Sequence, residues 1–287
     1  MIDRGDVISA RWAMYIHRMV TLLAFLGIGC LNQAKPDYTG WKLVWSDEFK
    51  VPGPPDPKNW VFEHGFVRNK ELQWYQPENA RVEDGHLVIE AKRERIPNPS
   101  FEPTSLDWKK SRNHADYTSA CLETRGLHEF KFGRFEVKAR IDPRPGLWPA
   151  IWSLGVQGRW PLNGEVDQLE YYHDTILANT AWGNGTWNTV RTPYSMFTGR
   201  DPDWAKNFHV WRMDWDAAYI RIYLDDQLLN ETDLSKTINP DGTNPFHQPQ
   251  FILLNLAIGS TGGDPANTTF PSRFEVEYVR VYQRAER

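Results

Sequence analysis

A regular alternation of apolar and charged residues limits the fold of this chain more than any other feature. It is clearest in GRFEVKARI, residues 133–141, where Phe135, Val137, Ala139 and Ile141 alternate with Glu136, Lys138 and Arg140. Successive side chains of a β-strand point to opposite faces, so a period of two indicates a strand. This segment therefore predicts a strand with one buried and one solvated face.

The same kind of pattern returns in other segments. HLVIEAKRE (86–94) alternates as well, Asp225 and Asp226 separate two apolar runs as a hairpin turn does, and QFILLNLAIG (250–259) is typical of a central strand covered on both faces. We find no apolar stripe of period 3.6 long enough for a core helix. The chain is therefore predicted to be all-β, a jelly-roll sandwich of two antiparallel sheets with a concave cleft, as one domain over residues 41–287.

The net charge and the aromatic content of the chain indicate which kinds of ligand it binds. The formal charge of −4 and the pI near 6.1 give no basic field for nucleic acid, so we expect no nucleic-acid partner. Among the 287 residues are 14 Trp, 14 Phe and 11 Tyr. Trp combines a large flat surface with a polar N–H, and a surplus of it favours surfaces that stack on flat ligands such as sugar rings. Scattered burial in a β-sandwich core is the other interpretation.

The N-terminal segment predicts export. The apolar run from Val20 to Gly29 has the length of a signal-peptide core and is too short to span a membrane. Small residues just before Cys30 resemble a bacterial lipobox. We therefore expect a signal peptide over residues 1–30, a lipid anchor on Cys30, and a polar tether over 31–40. The protein would then lie in the cell envelope as a lipid-anchored monomer. Simple secretion into the periplasm or medium, or burial of the segment, are the alternatives.

Three acids lie close together in WPLNGEVDQLEYY, residues 160–172. On a regular strand Glu165 and Asp167 share a face and Glu170 points away, so Glu170 joins them only if a β-bulge adds one residue. Two carboxylates that flank a glycosidic bond can hydrolyse it, and a third negative neighbour keeps the acid protonated. A calcium site is the alternative, although the apolar and aromatic continuation is unlike a calcium loop.

The segment GEVDQLE resembles the E-x-D-x-x-E signature of glycoside hydrolase family 16, in its laminarinase-like branch. Further fragments resemble the family in the same order along the chain: WKLVWSDEF, NKELQWYQPENARVEDGHLVIEAKRE, GRFEVKARI, GLWPAIWSLG, VWRMDW, YLDDQLL, LLNLAIGS and VEYVRVYQ. The resemblance implies a retaining endo-β-glycosidase that needs no cofactor for catalysis. Glu165 would be the nucleophile, Glu170 the general acid/base, and Asp167 the residue that holds the nucleophile.

The resemblance also implies further site residues. Trp148, Trp152 and Trp160 would line the cleft, and Arg68 and Asn69 would lie on its non-reducing side. Glu48 and Glu277 would help to bind a structural calcium ion. Each has a plainer alternative, which is core burial for the tryptophans and loop structure for Arg68 and Asn69.

The strand after the signature departs from the family. ILANTAWG (176–183) carries Asn179, Thr180 and Trp182 where laminarinases usually carry a His. We hypothesise that Trp182 shapes the cleft, with core burial as the alternative. The departure leaves the substrate open. A β-1,3-glucan or a mixed-linkage glucan is the first expectation, and an endo-β-galactosidase acting on agar-type, keratan or mucin glycans is the second. A surface glycan-binding protein without turnover is a third, although the intact acids disfavour it.

Overall fold

The computed structural model describes residues 37–285. The predicted signal peptide, Cys30 and most of the predicted tether lie outside these residues. Within the described part of the chain, no helix is both long and apolar enough to cross a membrane.

Two antiparallel sheets form the body of the protein. The eight-stranded sheet is called the back sheet, and β1 (Trp41–Asp47) pairs with its strand β19. Its other seven strands follow one another in space as β17 (Gln227–Asp233), β16 (Tyr219–Leu224), β15 (His209–Trp215), β10 (Gly133–Arg140), β19 (Ser272–Arg284), β5 (His86–Ala91) and β4 (Ala80–Glu83).

The seven-stranded sheet is called the cleft sheet. Its strands are, in spatial order, β14 (Thr186–Pro193), β13 (Thr175–Trp182), β12 (Glu165–Tyr172), β11 (Leu147–Gly155), β18 (Gln250–Ile258), β9 (Cys121–Glu123) and β2 (Val61–Phe62). With the back sheet it makes a β-sandwich, which confirms the predicted fold class.

The remaining elements are short. Two small pairs are β3 (Gln73–Tyr75) with β8 (Tyr117–Ser119), and β6 (Ile96–Pro97) with β7 (His114–Ala115). The α-helices are α1 (Trp108–Ser111) and α2 (Ser195–Thr198). Single 3-10 turns cover Pro77–Asn79, Trp204–Lys206, Leu234–Lys236, Pro245–His247 and Ser260–Gly262. These elements connect the sheets, and the core depends on the strands.

The alternation in the sequence agrees with the observed burial of the strand residues, with one exception. The apolar residues of β10 are buried between the sheets, and all nine residues of β18 are buried between β11 and β9. The polar face of β10, however, is only partly solvated, because Lys138 and Arg140 are partly exposed whereas Glu136 is 0% exposed. β10 lies between β15 and β19, and the Tyr38 hydroxyl covers Glu136 by donating to its Oε1 at 2.6 Å. A central strand can thus bury its polar face under paired side chains.

The predicted hairpin at Asp225 and Asp226 is present. Both residues have positive φ, 45° and 68°, and they join β16 to β17 with Leu224 paired to Gln227. Such angles in a two-residue loop match the twist of the flanking strands, which is why Asp is favoured there. The local sequence was sufficient to place this turn.

Candidate active site

A β-bulge on β12 brings the three predicted carboxylates to one face. Across the pair with β13, Asp167 lies opposite Asn179 and Glu170 opposite Leu177, so two residues of β12 oppose one of β13. The pairing with β11 passes over Gln168, which is therefore the extra residue. Gln168 turns into the core, and its Nε2 donates to the Phe135 carbonyl at 3.1 Å. The bulge returns Glu170 to the face that carries Glu165 and Asp167.

The Glu170 carboxyl lies where it keeps a proton near neutral pH. Burial, followed by the nearby charge of Glu165, raises the pKa of Glu170 to about 7. Two donors oppose this shift without overcoming it: Trp148 Nε1 donates to Oε1 at 2.9 Å, and Asn179 Nδ2 donates to Oε2 at 2.6 Å. The side chain therefore has a fixed orientation together with a raised pKa, which are the properties of a general acid.

Asp167 is the most enclosed of the three acids, with 1% of its surface exposed. Burial and then the charges of Glu165 and Glu170 raise its pKa well above the usual value. Its carboxyl accepts from Asn179 Nδ2 at 3.1 Å and shares a hydrogen bond with Glu165. A protonated Asp167 thus donates to Glu165. This leaves Glu165 as the acid that can ionise beside a neutral neighbour, although burial raises its pKa too.

A loop anchored by two glycines carries Trp160 to Glu165. The Gly155 N–H donates to the Gly164 carbonyl at 3.1 Å, and Gly164 has a φ of 75°. A Cβ on Gly155 would lie 2.0 Å from the Asn163 carbonyl oxygen, so only glycine lets the loop approach β11. Trp160 Nε1 then donates to Glu165 Oε2, while 56% of the Trp160 side chain stays exposed.

The other predicted cleft residues lie beside β12 or at one end of the cleft. Trp148, Trp152, Arg68 and Asn69 all line the same cavity of about 780 Å³ as the three acids. Trp152 is 8% exposed, and its Nε1 donates to Asn255 Oδ1 at 2.7 Å. The Arg68 guanidinium lies 4.9 Å from the Trp152 ring centroid and is paired with Glu63. Trp152 thus forms part of the cleft floor and is also largely buried, so both interpretations hold for it.

Trp182 does not have the predicted position. It lies on the core face of β13 and packs edge-on against Phe246, with ring centroids 6.4 Å apart. The alternation along β13 was correct, but the wrong face was assigned to the cleft. Opposite residues of an antiparallel pair share a face, and Asn179 lies opposite Asp167. Asn179 therefore faces the acids, and Trp182 cannot.

The short turn between β12 and β13 was the signal that would have corrected this assignment. His173 and Asp174 form a two-residue connection with φ of 49° and 52°, and Tyr172 pairs with Thr175. Tyr172 and Thr175 therefore share a face, and every second residue after Thr175, up to Asn179, lies on that face too.

Sequence reasoning missed several cleft residues: Glu71, Arg125, Asn179, Trp187, Thr189, Arg191 and Asn255.

Each of the two predicted calcium ligands has a basic partner on the back sheet. Both Glu48 carboxylate oxygens accept from Arg280, each at 2.8 Å, and Glu277 pairs with Lys138 at 2.7 Å. In the part of the chain that the structure describes, no group of three or more His, Cys, Asp or Glu side chains could hold a metal ion. The calcium role of Glu48 and Glu277 stays a prediction.

Three carboxyl groups that line one cleft, floored by tryptophans on a β-sandwich, are the arrangement expected of a glycoside hydrolase. Residues 68–280 match the profile of glycosyl hydrolases family 16. The chain belongs to this family and hydrolyses O-glycosyl bonds.

Relatives and solved structures agree with this assignment. A β-glucanase of Rhodothermus marinus is 35% identical over 303 aligned residues, covering 95% of this chain and 98% of that protein. SCLam, a non-specific endo-β-1,3(4)-glucanase, has 36% identity and a TM-score of 0.71, covering 87% of this chain and 96% of that one. A structure from work on endo-acting O-glycanases, with which human gut bacteria initiate mucin breakdown, has 33% identity and a TM-score of 0.80, covering 88% and 94%.

Proposed function

We propose that this chain hydrolyses internal linkages of a β-glucan, of the β-1,3 laminarin type or with mixed linkages, and retains the anomeric configuration. The observation that carries the proposal is the position of the three acids on β12, which is an interior strand of the cleft sheet, third from the β14 edge. Strands continue on both sides of the acids, so a polysaccharide can pass across them without ending there. The glucanases among the relatives support a glucan.

The proposed reaction uses Glu165 in its ionised form and Glu170 in its protonated form. Glu165, as the carboxylate, attacks the anomeric carbon while Glu170 gives its proton to the departing glycosidic oxygen. The products of this step are a free sugar end and a covalent glycosyl ester on Glu165. Glu170, now ionised, takes a proton from a water molecule as the water oxygen attacks the anomeric carbon, and the Glu165 carboxylate leaves. Two inversions at the anomeric carbon give net retention.

Asp167 serves Glu165 in this scheme. Its hydrogen bond to Glu165 stabilises the carboxylate before attack and again as the leaving group during hydrolysis. Asn179 holds both Asp167 and Glu170 through one amide nitrogen. The amide thus maintains the relative orientation of these two carboxyl groups.

The direct test is release of reducing ends from laminarin, mixed-linkage β-glucan, agarose, keratan and mucin O-glycans, with product sizes followed over time. We expect laminarin or mixed-linkage glucan to give a ladder of intermediate oligosaccharides, as cleavage of internal linkages produces. Early products that are only mono- or disaccharides would contradict the endo mode. Exclusive turnover of galactose-containing glycans would contradict the glucan assignment.

An endo-β-galactosidase is the second candidate, and one observation favours it. The structure from the mucin O-glycanase work has a TM-score of 0.80, against 0.71 for SCLam. The same substrate panel decides between the two candidates because it contains both kinds of linkage.

We also propose that the protein is exported and anchored by a lipid on Cys30, and that it is monomeric. The apolar run Val20–Gly29 and the small residues before Cys30 support the anchor. Labelling with a radioactive fatty acid in a bacterial host tests it, with Cys30→Ala as the control expected to lose the label. Light scattering during size-exclusion chromatography tests the monomer.

A structural calcium ion is a further proposal that rests on the family resemblance alone. If such an ion binds, the melting temperature should be lower in EDTA than in excess calcium. Equal melting temperatures would contradict it.

A further inference from the structure

Three rows of side chains lead from the acids to β14, the edge strand of the cleft sheet. Opposite residues of neighbouring strands share a face, so the pairings of β12 with β13 and of β13 with β14 define the rows. They are Glu165–Ala181–Trp187, Asp167–Asn179–Thr189 and Glu170–Leu177–Arg191. All nine side chains except that of Ala181 line the same cavity. The cleft therefore extends across β13 to β14.

Trp187 gives this end of the cleft an exposed aromatic surface. Its side chain is 44% exposed, and its ring lies 6.5 Å from that of Trp160 at an angle of 54°. Trp160 in turn donates to Glu165. Two neighbouring indoles that stay open to solvent form an apolar patch inside a polar cleft, and such patches mark binding surfaces.

The position of Trp187 is fixed by the turn before it. Gly183 and Gly185 have φ of 60° and 90° in the turn between β13 and β14, and the Gly183 N–H donates to Asn239 Oδ1 at 3.0 Å. On the other face of β14, Asn188 Nδ2 donates to Asn230 Oδ1 at 3.0 Å. Trp187 is thus presented to the cleft by an anchored strand, so little conformational entropy is lost when a ligand stacks on it.

Arg191 and Thr189 supply polar groups beside the indole. In the described part of the chain, no carboxylate lies within 4.0 Å of the Arg191 guanidinium, whereas Arg68 and Arg125 in the same cleft are paired with Glu63 and Glu123. Arg191 interacts with Tyr172, and a guanidinium without a carboxylate partner keeps N–H donors that can bind the hydroxyl groups of a sugar. Stacking on one ring face together with hydrogen bonds at its edge is how a protein recognises a pyranose.

We propose that Trp187, Thr189 and Arg191 form a further sugar-binding subsite on β14, which holds a sugar unit beyond the reacting one. β14 is two strands from β12, about 10 Å at the usual spacing, so the subsite is separate from the reacting centre. It lies on the opposite side of β12 from Arg68 and Trp152. Its ligand is a neutral pyranose that belongs to the polysaccharide substrate. This inference rests on the proposed endo-glycanase function.

The proposed subsite is tested by measuring how cleavage depends on the length of the substrate. Wild type, Trp187→Ala and Trp187→Phe are compared on purified laminarin oligosaccharides of increasing length, by kcat/KM and by the pattern of bonds cleaved. Phe101→Ala is the matched control, because Phe101 is 40% exposed and lies outside the cleft lining. If wild type cleaves galactose-containing glycans instead, the glucan proposal fails and the same comparison is made on that series.

We expect Trp187→Ala to lose about fivefold in kcat/KM on the long substrates, since a stacked indole contributes on the order of 1 kcal/mol. The shortest cleaved substrate should change little, the preferred bond should shift, and Trp187→Phe should recover part of the loss. The melting temperature should match that of the control. An equal loss at every length, or an unchanged cleavage pattern and rate, would overturn the subsite.

Discussion

The ion-paired carboxylates of the back sheet and the three acids of the cleft have opposite kinds of partners. On the back sheet, Asp214 accepts two hydrogen bonds from Arg134, at 2.7 and 2.8 Å, and Glu48 accepts two from Arg280. On the cleft sheet, Glu165, Asp167 and Glu170 have no Lys, Arg or His within 4.0 Å among residues 37–285. Their donors are an amide and two indoles. Neutral donors orient a carboxyl without neutralising its charge.

The difference appears in the pKa values. The hydrogen bonds from Arg280 are the main reason that the pKa of Glu48 is lowered, whereas burial is the main reason that the pKa of Glu170 is raised to about 7. The ion pair thus favours the ionised form of Glu48 and contributes to stability. Glu170, which has no cation beside it, stays poised to give and take a proton. The partner of a carboxyl and its burial together decide which of these two properties it has.

Replacing either of the glutamates proposed as nucleophile and acid/base should have the largest effect. Glu165→Gln and Glu170→Gln are expected to lower kcat by roughly a thousandfold or more with unchanged folding, because each removes an acid that the reaction requires. Circular dichroism and steady-state kinetics measure the two properties.

The alanine variants separate the two roles. Glu170→Ala should keep its first step best on aryl glycosides with activated leaving groups, and azide should restore turnover by replacing the missing base. The same rescue with retained stereochemistry in Glu165→Ala would show that the roles are reversed.

Replacing the buried third acid should have a smaller effect. Asp167→Asn removes a titratable proton from three interacting groups, so we expect a loss of roughly tenfold in kcat and a shifted pH profile. The pH dependence of kcat/KM measures both. An unchanged rate and profile would mean that Asp167 does not act on Glu165.

Stability and activity should both depend on pH through Glu170. Its pKa is higher in the folded state, so the folded state binds more protons between pH 4.5 and about 7, and the free energy of unfolding falls as pH rises through this range. Activity should fall through the same upper limit, because the acid must be protonated. In urea titrations, Glu170→Gln should be more stable than wild type at pH 8 and about equal at pH 4. Equal stability of the two proteins at pH 8 would contradict the raised pKa.

The smallest effect is expected on the back sheet. Glu48→Gln removes a partly exposed ion pair, so the free energy of unfolding should drop by less than about 1 kcal/mol and kcat should not change. The contribution of Glu48 to the free energy of unfolding changes with pH in the opposite direction to that of Glu170. The contribution of Glu48 is present above pH 4.5 and is lost as pH falls through its lowered pKa. Thermal melts from pH 3 to 7 with a parallel activity assay test both, and a fall in activity at pH 7 would contradict this separation.

The sequence by itself determined the strands, the turn at Asp225 and Asp226, the family, and the positions of Glu165, Asp167 and Glu170. These are local or nearly local properties. A period of two follows from backbone geometry, two aspartates accept positive φ, and the spacing of the acids implied a bulge. Each could be predicted without knowledge of what lies across the sheet.

The tertiary structure decided which face each strand turned toward the cleft and which charges found partners. Trp182 and Asn179 lie three residues apart on one strand, and the registry with β12 placed the indole in the core and the amide against the acids. Glu277 and Glu170 both lie on strands, yet of the two only Glu277 forms an ion pair, with Lys138. Pairing between strands sets these contacts, because a shift of one residue reverses every side chain. For β13 the short turn after β12 indicated the register, whereas Lys138 and Glu277 lie on strands far apart in the sequence, where no local pattern indicates the partner.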